Sequence, residues 1–342
     1  MGQGAGIGAP AGTMDVVTVV FQKELPLLIL QARSMARFFD PDAINRILVV
    51  VNDFHENATA AAVEAIRPHY GRLADRLEVV RPDALQSDLR LGPLRRAERW
   101  YVAHGRGPIM RPLPRRDRLA SGWRGNPGWS MQQAQKLLSV NVVTAPFLLI
   151  LDAKNFFVSP VGLDTFVAAD GRARSRRVQI GELQHKWVQA SFRKLGMSAA
   201  GIVETPPTVT PTVLDTGLAR EGVAALERRL GPLESFFSLR KGRATEFMLL
   251  FAVIDRGVGH WWTRLAEGLP EATTVYTKGG DREVRDSIAL AIAGKSPLMG
   301  LHRRVVWRIG DDTRTALGRF WLDLGLFSSI DDASAVFAGA EP

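Results

Sequence analysis

The stretch FLLILDAKNFFVSP (Phe147–Pro160) runs five apolar residues directly into Asp152, Ala153, Lys154 and Asn155, after which apolar residues resume. An apolar run that ends in polar residues is typical of a buried strand in a parallel sheet. Ligands of open α/β sheets bind outside the carboxyl ends of the strands, so these side chains are candidate site residues. If the strand stays extended, Asp152 and Lys154 share one face and Asn155 points to the other. The alternative is a strand that emerges into solvent through ordinary turn residues.

Strand patterns and helix patterns alternate on the amino-terminal side of this stretch. Apolar, β-branched segments are followed by segments in which apolar residues recur at helical spacing. This alternation predicts one large α/β domain with a mostly parallel sheet flanked by helices. The predicted elements are strand 15–21, helix 24–39, strand 44–53, helix 59–70, strand 76–82, helix 128–143 and the strand that begins at Phe147.

The composition excludes several classes of protein. The chain has 342 residues, of which 46% are hydrophobic, and this is enough to bury a substantial core. Because it contains no cysteine, disulfides, thiolate metal sites and cysteine nucleophiles are excluded. No apolar run reaches the roughly 18 to 20 residues that span a bilayer. The amino terminus also lacks the features of a signal peptide, so we expect a cytoplasmic protein.

Positive charge is concentrated between Arg90 and Arg124. This basic window holds ten arginines against Glu98 and Asp117, a net charge of +8 out of +9 for the whole chain. It is rich in Gly and Pro and has no sustained period, which predicts a long loop. Arginine forks suit phosphate and carboxylate groups, so an anionic substrate, a phospholipid surface or nucleic acid could be the partner. The alternative is a solvated loop with an arginine bias.

Several motifs together resemble a known group of proteins. GWSMQQAQKL (Gly128–Leu137) precedes a strand that ends LDAKN (Leu151–Asn155), and weaker similarity extends through 210–221, 244–254 and 301–307. This order resembles an uncharacterised family of bacterial glycosyltransferase-like proteins with the Rossmann-like, A-type nucleotide-diphospho-sugar transferase fold. The resemblance runs from about residue 16 to about residue 327. It implies sugar transfer from a nucleotide-sugar donor to a saccharide or lipid-linked anionic acceptor, in cell-surface or exopolysaccharide assembly.

The resemblance also implies roles for individual residues. A-type transferases hold a divalent cation, Mn²⁺ or Mg²⁺, with an Asp-x-Asp at such a strand end. Here Asp152 matches the first position, but Lys154 stands at the second. The diphosphate can therefore be neutralised by a metal on Asp152 and His302, or by Lys154 as a point charge. The remaining donor-binding candidates are Phe21, Gln22 and Asp53 for the nucleotide, and Trp129, Gln132, Gln133, Lys136 and Asn155 for sugar hydroxyls or phosphate.

An inverting transferase needs a carboxylate that accepts the proton of the acceptor hydroxyl. The candidates for this role are Glu246, Glu182 and Asp215. The alternative role of Glu246 is that of a first-turn acid at a helix start. We expect residues 1–15 to be a flexible tail, 16–160 the nucleotide-sugar-binding half, 161–327 the acceptor-binding half, and 328–342 a second tail.

Two other classes of function stay open at the level of sequence. One is a non-catalytic nucleotide-sugar or anion-binding protein that keeps a degenerate transferase fold, with Lys154 as the mark of lost chemistry. The other is an anion- or nucleic-acid-binding module that acts through Arg90–Arg124. No recognisable nucleic-acid-binding motif occurs, so we expect no nucleic-acid partner. Peripheral contact of the basic window with the inner face of the membrane is compatible with the transferase.

Overall fold

The computed structural model describes residues 12–53, 55–85, 128–239 and 243–338. The basic window Arg90–Arg124 lies outside these residues, as do residues 1–11 of the expected amino-terminal tail. The strands are β1 Met14–Val20, β2 Ile44–Val51, β3 Leu77–Val80, β4 Phe147–Asp152, β5 Asn155–Phe157, β6 Arg174–Ser175, β7 Val178–Gln179, β8 Glu204–Thr205, β9 Thr212–Asp215, β10 Ala266–Glu267, β11 Ala272–Val275 and β12 Leu298–Leu301.

Helices surround these strands. The α-helices are α1 Leu25–Phe38, α2 Glu56–Ile66, α3 Gly128–Leu138, α4 Leu163–Phe166, α5 Glu182–Lys194, α6 Thr216–Leu230, α7 Leu233–Leu239, α8 Glu246–Val253, α9 Trp261–Arg264, α10 Asp281–Ile292, α11 Arg303–Arg308, α12 Asp311–Asp323 and α13 Ile330–Ala338. Short 3-10 segments occur at Gln22–Glu24, Pro41–Ala43, Arg67–Arg76, Pro82–Leu85 and Ser139–Asn141, and a π-helical segment at Ile254–Gly259.

The central sheet has five strands in the order β3-β2-β1-β4-β9. The first four are parallel and β9 runs antiparallel to β4. Every residue of β1 and β4 is buried, as expected for strands covered on both faces by helices. The predicted α/β domain with a mostly parallel sheet is therefore confirmed. The strands β2 and β3 lie on one side of β1, and β4 lies on the other. The connections after parallel strands therefore lead in opposite directions at this point, which leaves a crevice beyond the carboxyl ends of β1 and β4.

Two hydrophobic clusters stabilise the domain. The larger cluster packs around the central sheet, and the smaller one lies between α1, the sheet β11-β12-β5 and the carboxyl-terminal helices. The larger cluster contains residues from both predicted halves, and the division at residue 160 stays a prediction. Among the helices that the structure describes, none is long and apolar enough to cross a membrane.

One condition considered for the sequence is not met, and two expectations about local structure are wrong. The strand from Phe147 does not stay extended, because it ends at Asp152 and a turn at 153–154 leads into the separate strand β5. The second expected tail, 328–342, contains α13, which packs through buried Ala333 and Val336. The first expected tail, 1–15, likewise overlaps β1, since Met14 and Asp15 are buried strand residues.

Candidate active site at the carboxyl edge of the sheet

The carboxyl ends of β1 and β4 lie side by side. Val19 in β1 pairs with Asp152 in β4, so residues that follow either strand emerge at the same edge. The helix α3 packs against β1, and Gln132 Nε2 on that helix reaches the Val19 carbonyl oxygen at 3.4 Å. This edge is where the topology places the crevice.

A compact group of charged side chains occupies the edge. Lys136 Nζ from α3 lies 2.6 Å from Asp152 Oδ1 and 3.3 Å from Glu246 Oε1 at the start of α8. The ammonium group of Lys154 forms an ion pair with Asp152 Oδ2. We refer to Lys136, Asp152, Lys154 and Glu246 as the ion cluster. The sequence analysis proposed these four residues as site residues in three different segments of the chain, and the fold brings them together.

The ion cluster is electrostatically coupled. Burial alone would raise the pKa of Asp152, but Lys136 and Lys154 outweigh it and hold the pKa far below its ordinary value. Burial would lower the pKa of Lys136, and Asp152 and Glu246 reverse that effect and raise it. Burial raises the pKa of Glu246 despite its contact with Lys136. Asp152 and Lys136 are therefore charged at neutral pH.

The turn after β4 is held by buried hydrogen bonds. Asn155 Oδ1 accepts the Asp152 backbone N–H at 2.9 Å and the Thr210 hydroxyl at 2.7 Å. Gln31 of α1 donates from Nε2 to the backbone oxygens of Asp152 at 2.8 Å and Asn155 at 3.0 Å. Asn155 is fully buried, and its Oδ1 holds the turn.

Glu24 is a carboxyl group beside the ion cluster that the sequence analysis missed. It immediately precedes α1, at the end of the 3-10 segment Gln22–Glu24 that follows β1. Its Oε2 is buried and has no hydrogen-bond partner. Burial, with the charge of Asp152, raises the pKa of Glu24 from 4.5 to about 7, against the opposing charge of Lys154. Its place shortly after β1, at the edge where β4 ends in Asp152, was the available signal.

Residues 301–303 complete the same edge. The Leu301 N–H donates to the Lys154 backbone oxygen at 3.0 Å, which brings His302 and Arg303 next to the turn. Burial and the charges of Lys154 and Arg303 lower the pKa of His302 to about 4, so its ring is neutral at pH 7. The Arg303 guanidinium carbon lies 5.5 Å from the centre of the Phe21 ring. The predicted nucleotide contact Phe21 is therefore at this edge.

Other nominated residues lie around the crevice. Asp53 Oδ2 accepts the Gln22 backbone N–H at 2.8 Å, which ties the ends of β1 and β2 together. Gln133 Oε1 accepts the Glu246 backbone N–H at 3.3 Å and so links α3 to α8. Trp129, at the start of α3, is 58% exposed.

Two nominated acids lie elsewhere. Asp215 pairs with Phe147, at the opposite end of β4 from Asp152, about 16 Å away at about 3.3 Å per residue. There it caps α6 by accepting the Leu218 N–H at 2.8 Å. The Glu182 side chain is 86% exposed and pairs with Lys186 on the surface of α5. The structure thus gives both residues ordinary helix-terminal roles.

The residues present do not fit a divalent cation on Asp152. Both of its carboxylate oxygens face ammonium groups, and a doubly charged ion about 4 Å from one ammonium is repelled by about 8 kcal/mol at an effective dielectric of about 20. His302 Nδ1 already accepts the Arg304 N–H at 3.2 Å. Within the described ranges no three His, Asp or Glu side chains converge as metal ligands. The predicted site on Asp152 and His302 lacks both the net negative charge and the ligands that such an ion needs.

The fold and this edge define an α/β protein with a charged crevice at the carboxyl ends of its parallel strands. The chain belongs to the family of unknown function DUF6492, whose sequence profile matches residues 23–265. This agrees with the resemblance to an uncharacterised family. No curated protein sequence matches the chain.

Solved structures of glycosyltransferases are distant neighbours. The galactosyltransferase LgtC, in complex with donor and acceptor sugar analogues, is similar over 95% of this chain and 100% of its own, with 12% identity and a TM-score of 0.43. The apo form of the glycosyltransferase GlyE of Streptococcus pneumoniae TIGR4 is similar over 95% of this chain and 62% of its own, with 9% identity and a TM-score of 0.38. The apo bifunctional glycosyltransferase WbbM is similar over 84% and 45%, with 11% identity and a TM-score of 0.40. Such distant likenesses do not carry an activity over to this chain.

Proposed function

We propose that this protein is a glycosyltransferase that moves a sugar from a nucleotide-activated donor to an acceptor hydroxyl. The observation that carries this proposal is the ion cluster in the crevice between β1 and β4. A parallel sheet binds its ligand at such a crevice, and a diphosphate leaving group needs fixed positive charge beside it. The resemblance of the Gln-Gln helix and the Leu-Asp strand to an uncharacterised family of glycosyltransferase-like proteins supports the same reaction.

Each part of the donor has candidate residues. The nucleotide would lie across the ends of β1 and β2, against Phe21, Gln22 and Asp53, because an aromatic ring and a carboxylate suit a base and a ribose. The diphosphate would lie against Lys154. The sugar would contact the exposed side of α3, where Trp129 and Gln132 offer a ring and an amide.

The proton of the acceptor hydroxyl needs a carboxylate, and two carboxyl groups border the ion cluster. Glu246 is held by Lys136, whereas Glu24 has a buried oxygen without a partner. A base with a pKa of about 7 combines availability with proton affinity at neutral pH, which describes Glu24. We therefore propose that Glu24 accepts the proton and that Glu246 holds Lys136 in place. In the step, the acceptor oxygen bonds to the anomeric carbon, its proton moves to Glu24, and the carbon–oxygen bond to the diphosphate breaks.

The acceptor and its setting are finer parts of the proposal. We propose a saccharide or lipid-linked anionic acceptor in cell-surface polysaccharide assembly, used on the cytoplasmic side of the membrane. The basic window Arg90–Arg124 supports an anionic partner through its charge of +8. Replacement of Arg115, Arg116 and Arg118 by Ser is expected to weaken binding to anionic vesicles and leave donor binding intact. Equal vesicle binding at low salt would contradict this part alone.

A second function has one observation in its favour. Lys154 stands where the A-type motif has an acid, which suits a protein that binds nucleotide sugars without transfer. Such a protein would be stabilised by donors and would release no nucleoside diphosphate from them.

One experiment separates these functions. Thermal unfolding is followed with a panel of nucleotide sugars, each with and without Mn²⁺, and release of nucleoside diphosphate is measured in parallel. A donor at a hundred times its Kd stabilises the native state by about 2.7 kcal/mol, which raises Tm by several degrees. Stabilisation with turnover supports the transferase, and stabilisation without turnover supports the binding protein. The absence of stabilisation by any donor contradicts both. Lys194→Met, on the exposed face of α5, is the control for nonspecific charge effects.

A further inference from the structure

We infer that Lys154 and Arg303 hold the donor's diphosphate at this edge without a divalent cation on Asp152. This inference rests on the proposed function for the identity of the ligand. It concerns how the anion is neutralised, which the proposed function leaves open. The two side chains supply together the same formal charge as one Mg²⁺ or Mn²⁺ ion.

Lys136 makes a metal on Asp152 unnecessary. Its side chain is only 6% exposed, and its ammonium group bridges Asp152 and Glu246 while lying 5.5 Å from the centre of the Phe247 ring. A buried lysine with two carboxylate partners has no freedom to leave them, because departure would strand two buried charges. Asp152 therefore keeps Lys136 as its cationic partner even when Lys154 leaves Oδ2.

Lys154 is more exposed than Lys136 and has one carboxylate partner instead of two. Its side chain is 16% exposed, and its partner is the second oxygen of Asp152. The backbone of its turn is fixed by Gln31, Asn155 and Leu301, whereas the long side chain extends from that turn. The ammonium group of Lys154 can move from Asp152 to an incoming phosphate, and Asp152 stays paired with Lys136 when it does.

Arg303 offers the second cation. Its Nη1 is buried and has no hydrogen-bond partner, which is costly for a guanidinium donor unless an anion takes it up. The Leu301 N–H donates to the Lys154 carbonyl oxygen, and Arg303 follows Leu301 by two residues. This hydrogen bond therefore keeps Arg303 beside the turn. The neutral ring of His302 adds no competing charge between them. None of the ion pairs found within the described ranges involves Arg303, which together with its unpartnered Nη1 favours a role in anion binding.

The inference is tested with inorganic pyrophosphate, which contains the proposed binding group and no sugar or base. Its affinity is measured by titration calorimetry on protein treated with EDTA, and again with Mn²⁺ added. We expect binding in EDTA, and about the same affinity with Mn²⁺. Lys154→Met is expected to weaken binding roughly ten- to hundredfold, since a charge-assisted contact is lost. Lys194→Met should change nothing. Binding that requires Mn²⁺, or equal binding by Lys154→Met, would overturn the inference.

Asp152→Asn gives a test of opposite sign. If Lys154 binds the anion, loss of the competing carboxylate leaves pyrophosphate affinity unchanged or raises it up to about tenfold, because the lysine is released. If Asp152 holds a metal, the same substitution lowers affinity at least about tenfold. Circular dichroism checks that the variant folds, and Lys154→Met decides the question if it does not.

The outcomes also separate this inference from the proposed function. Pyrophosphate binding in EDTA without binding of any nucleotide sugar leaves the anion site standing and contradicts the transferase. Donor turnover that appears only with Mn²⁺ supports the transferase and overturns the metal-free anion site.

Discussion

Asp152 is held by two lysines with different surroundings. Lys136 lies in the core between two carboxylates, and Lys154 lies at the partly exposed end of the same ion cluster. The sequence pointed to Asp152 and Lys154 at the end of a strand and to Glu246 at the start of a helix. It pointed to Lys136 because this residue shares a helical face with Trp129, Gln132 and Gln133. It could not show that Lys136 and Glu246 share an ion pair, since 110 residues separate them. Their contact depends on the packing of α3 against α8.

The two lysines should differ sharply in their effect on stability. Lys136→Met leaves Asp152 and Glu246 buried beside one fewer cation, and we expect it to lower the free energy of unfolding by about 3 to 5 kcal/mol. Lys154→Met leaves Asp152 paired with Lys136, and a loss of about 1 kcal/mol or less is expected. Urea denaturation at pH 7 measures both. Equal losses would mean that the two lysines hold Asp152 equally.

Glu24 should make stability depend on pH. Its pKa is 4.5 in ordinary surroundings and about 7 in the folded chain, beside Asp152, Lys154 and Lys136. The folded state therefore retains this proton more strongly, and the stability it contributes is complete below about pH 4.5 and is lost as pH rises through about 7. Between about pH 4.5 and pH 8 the free energy of unfolding of the unsubstituted protein should fall by about 3 kcal/mol through Glu24. Glu24→Gln stays neutral and should not show this fall. Denaturation curves of both proteins across this range test it. Parallel pH dependences would show that the Glu24 pKa is ordinary.

At the scale of elements, the turn between β4 and β5 decides the geometry of the site. The sequence predicted the strand and its polar end correctly, because the apolar run is a local signal. It could not decide whether the strand stays extended beyond Asp152, because Gln31 and Thr210 impose the turn, and both lie more than 50 residues away in the sequence. Asn155, proposed from the sequence as a ligand contact, supports this turn through its Oδ1.

The hydrogen bonds of Asn155 give a prediction about this turn. Asn155→Ala leaves the Asp152 N–H and the Thr210 hydroxyl buried without an acceptor, so we expect a loss of about 2 to 4 kcal/mol in the free energy of unfolding. Thr210→Val is the matched control, because it removes one of these bonds and keeps the other, and a loss of about 1 kcal/mol is expected. Chemical denaturation of the two variants measures the difference. If Thr210→Val costs as much as Asn155→Ala, the Asp152 N–H bond does not hold the turn.

At the scale of the whole molecule, the sequence predicted the alternation of strands and helices and hence the parallel sheet, because each element has its own apolar period. It missed α13, whose burial depends on distant partners. Arg33 Nη1 in α1 lies 2.6 Å from Asp332 Oδ2 in this helix, and the Phe337 ring stacks on Trp321 with 5.2 Å between centres. A segment with such contacts is part of the folded domain and not a tail.

Removal of α13 should therefore destabilise the domain. A chain that ends at Phe327 loses the apolar contacts of Ala333, Val336 and Phe337 and exposes Trp321, so we expect the free energy of unfolding to fall by about 3 kcal/mol or more. Asp332→Asn, which removes only the partly exposed ion pair with Arg33, should cost about 1 kcal/mol or less. Tryptophan fluorescence during urea denaturation measures both. An unchanged midpoint for the shortened chain would mean that α13 is a dispensable tail.

If the proposed function holds, a nucleoside diphosphate binds at the carboxyl ends of β1, β2 and β4. Amide chemical-shift mapping during titration with UDP, and separately with GDP, tests it most directly, because it locates the ligand whether or not turnover occurs. We expect the largest shifts at Phe21–Glu24, at Asp53 and at Asp152–Asn155, and no shift at Thr216 and Gly217, which lie beyond the opposite end of β4. Shifts centred on that opposite end, or none with either nucleotide, would contradict it.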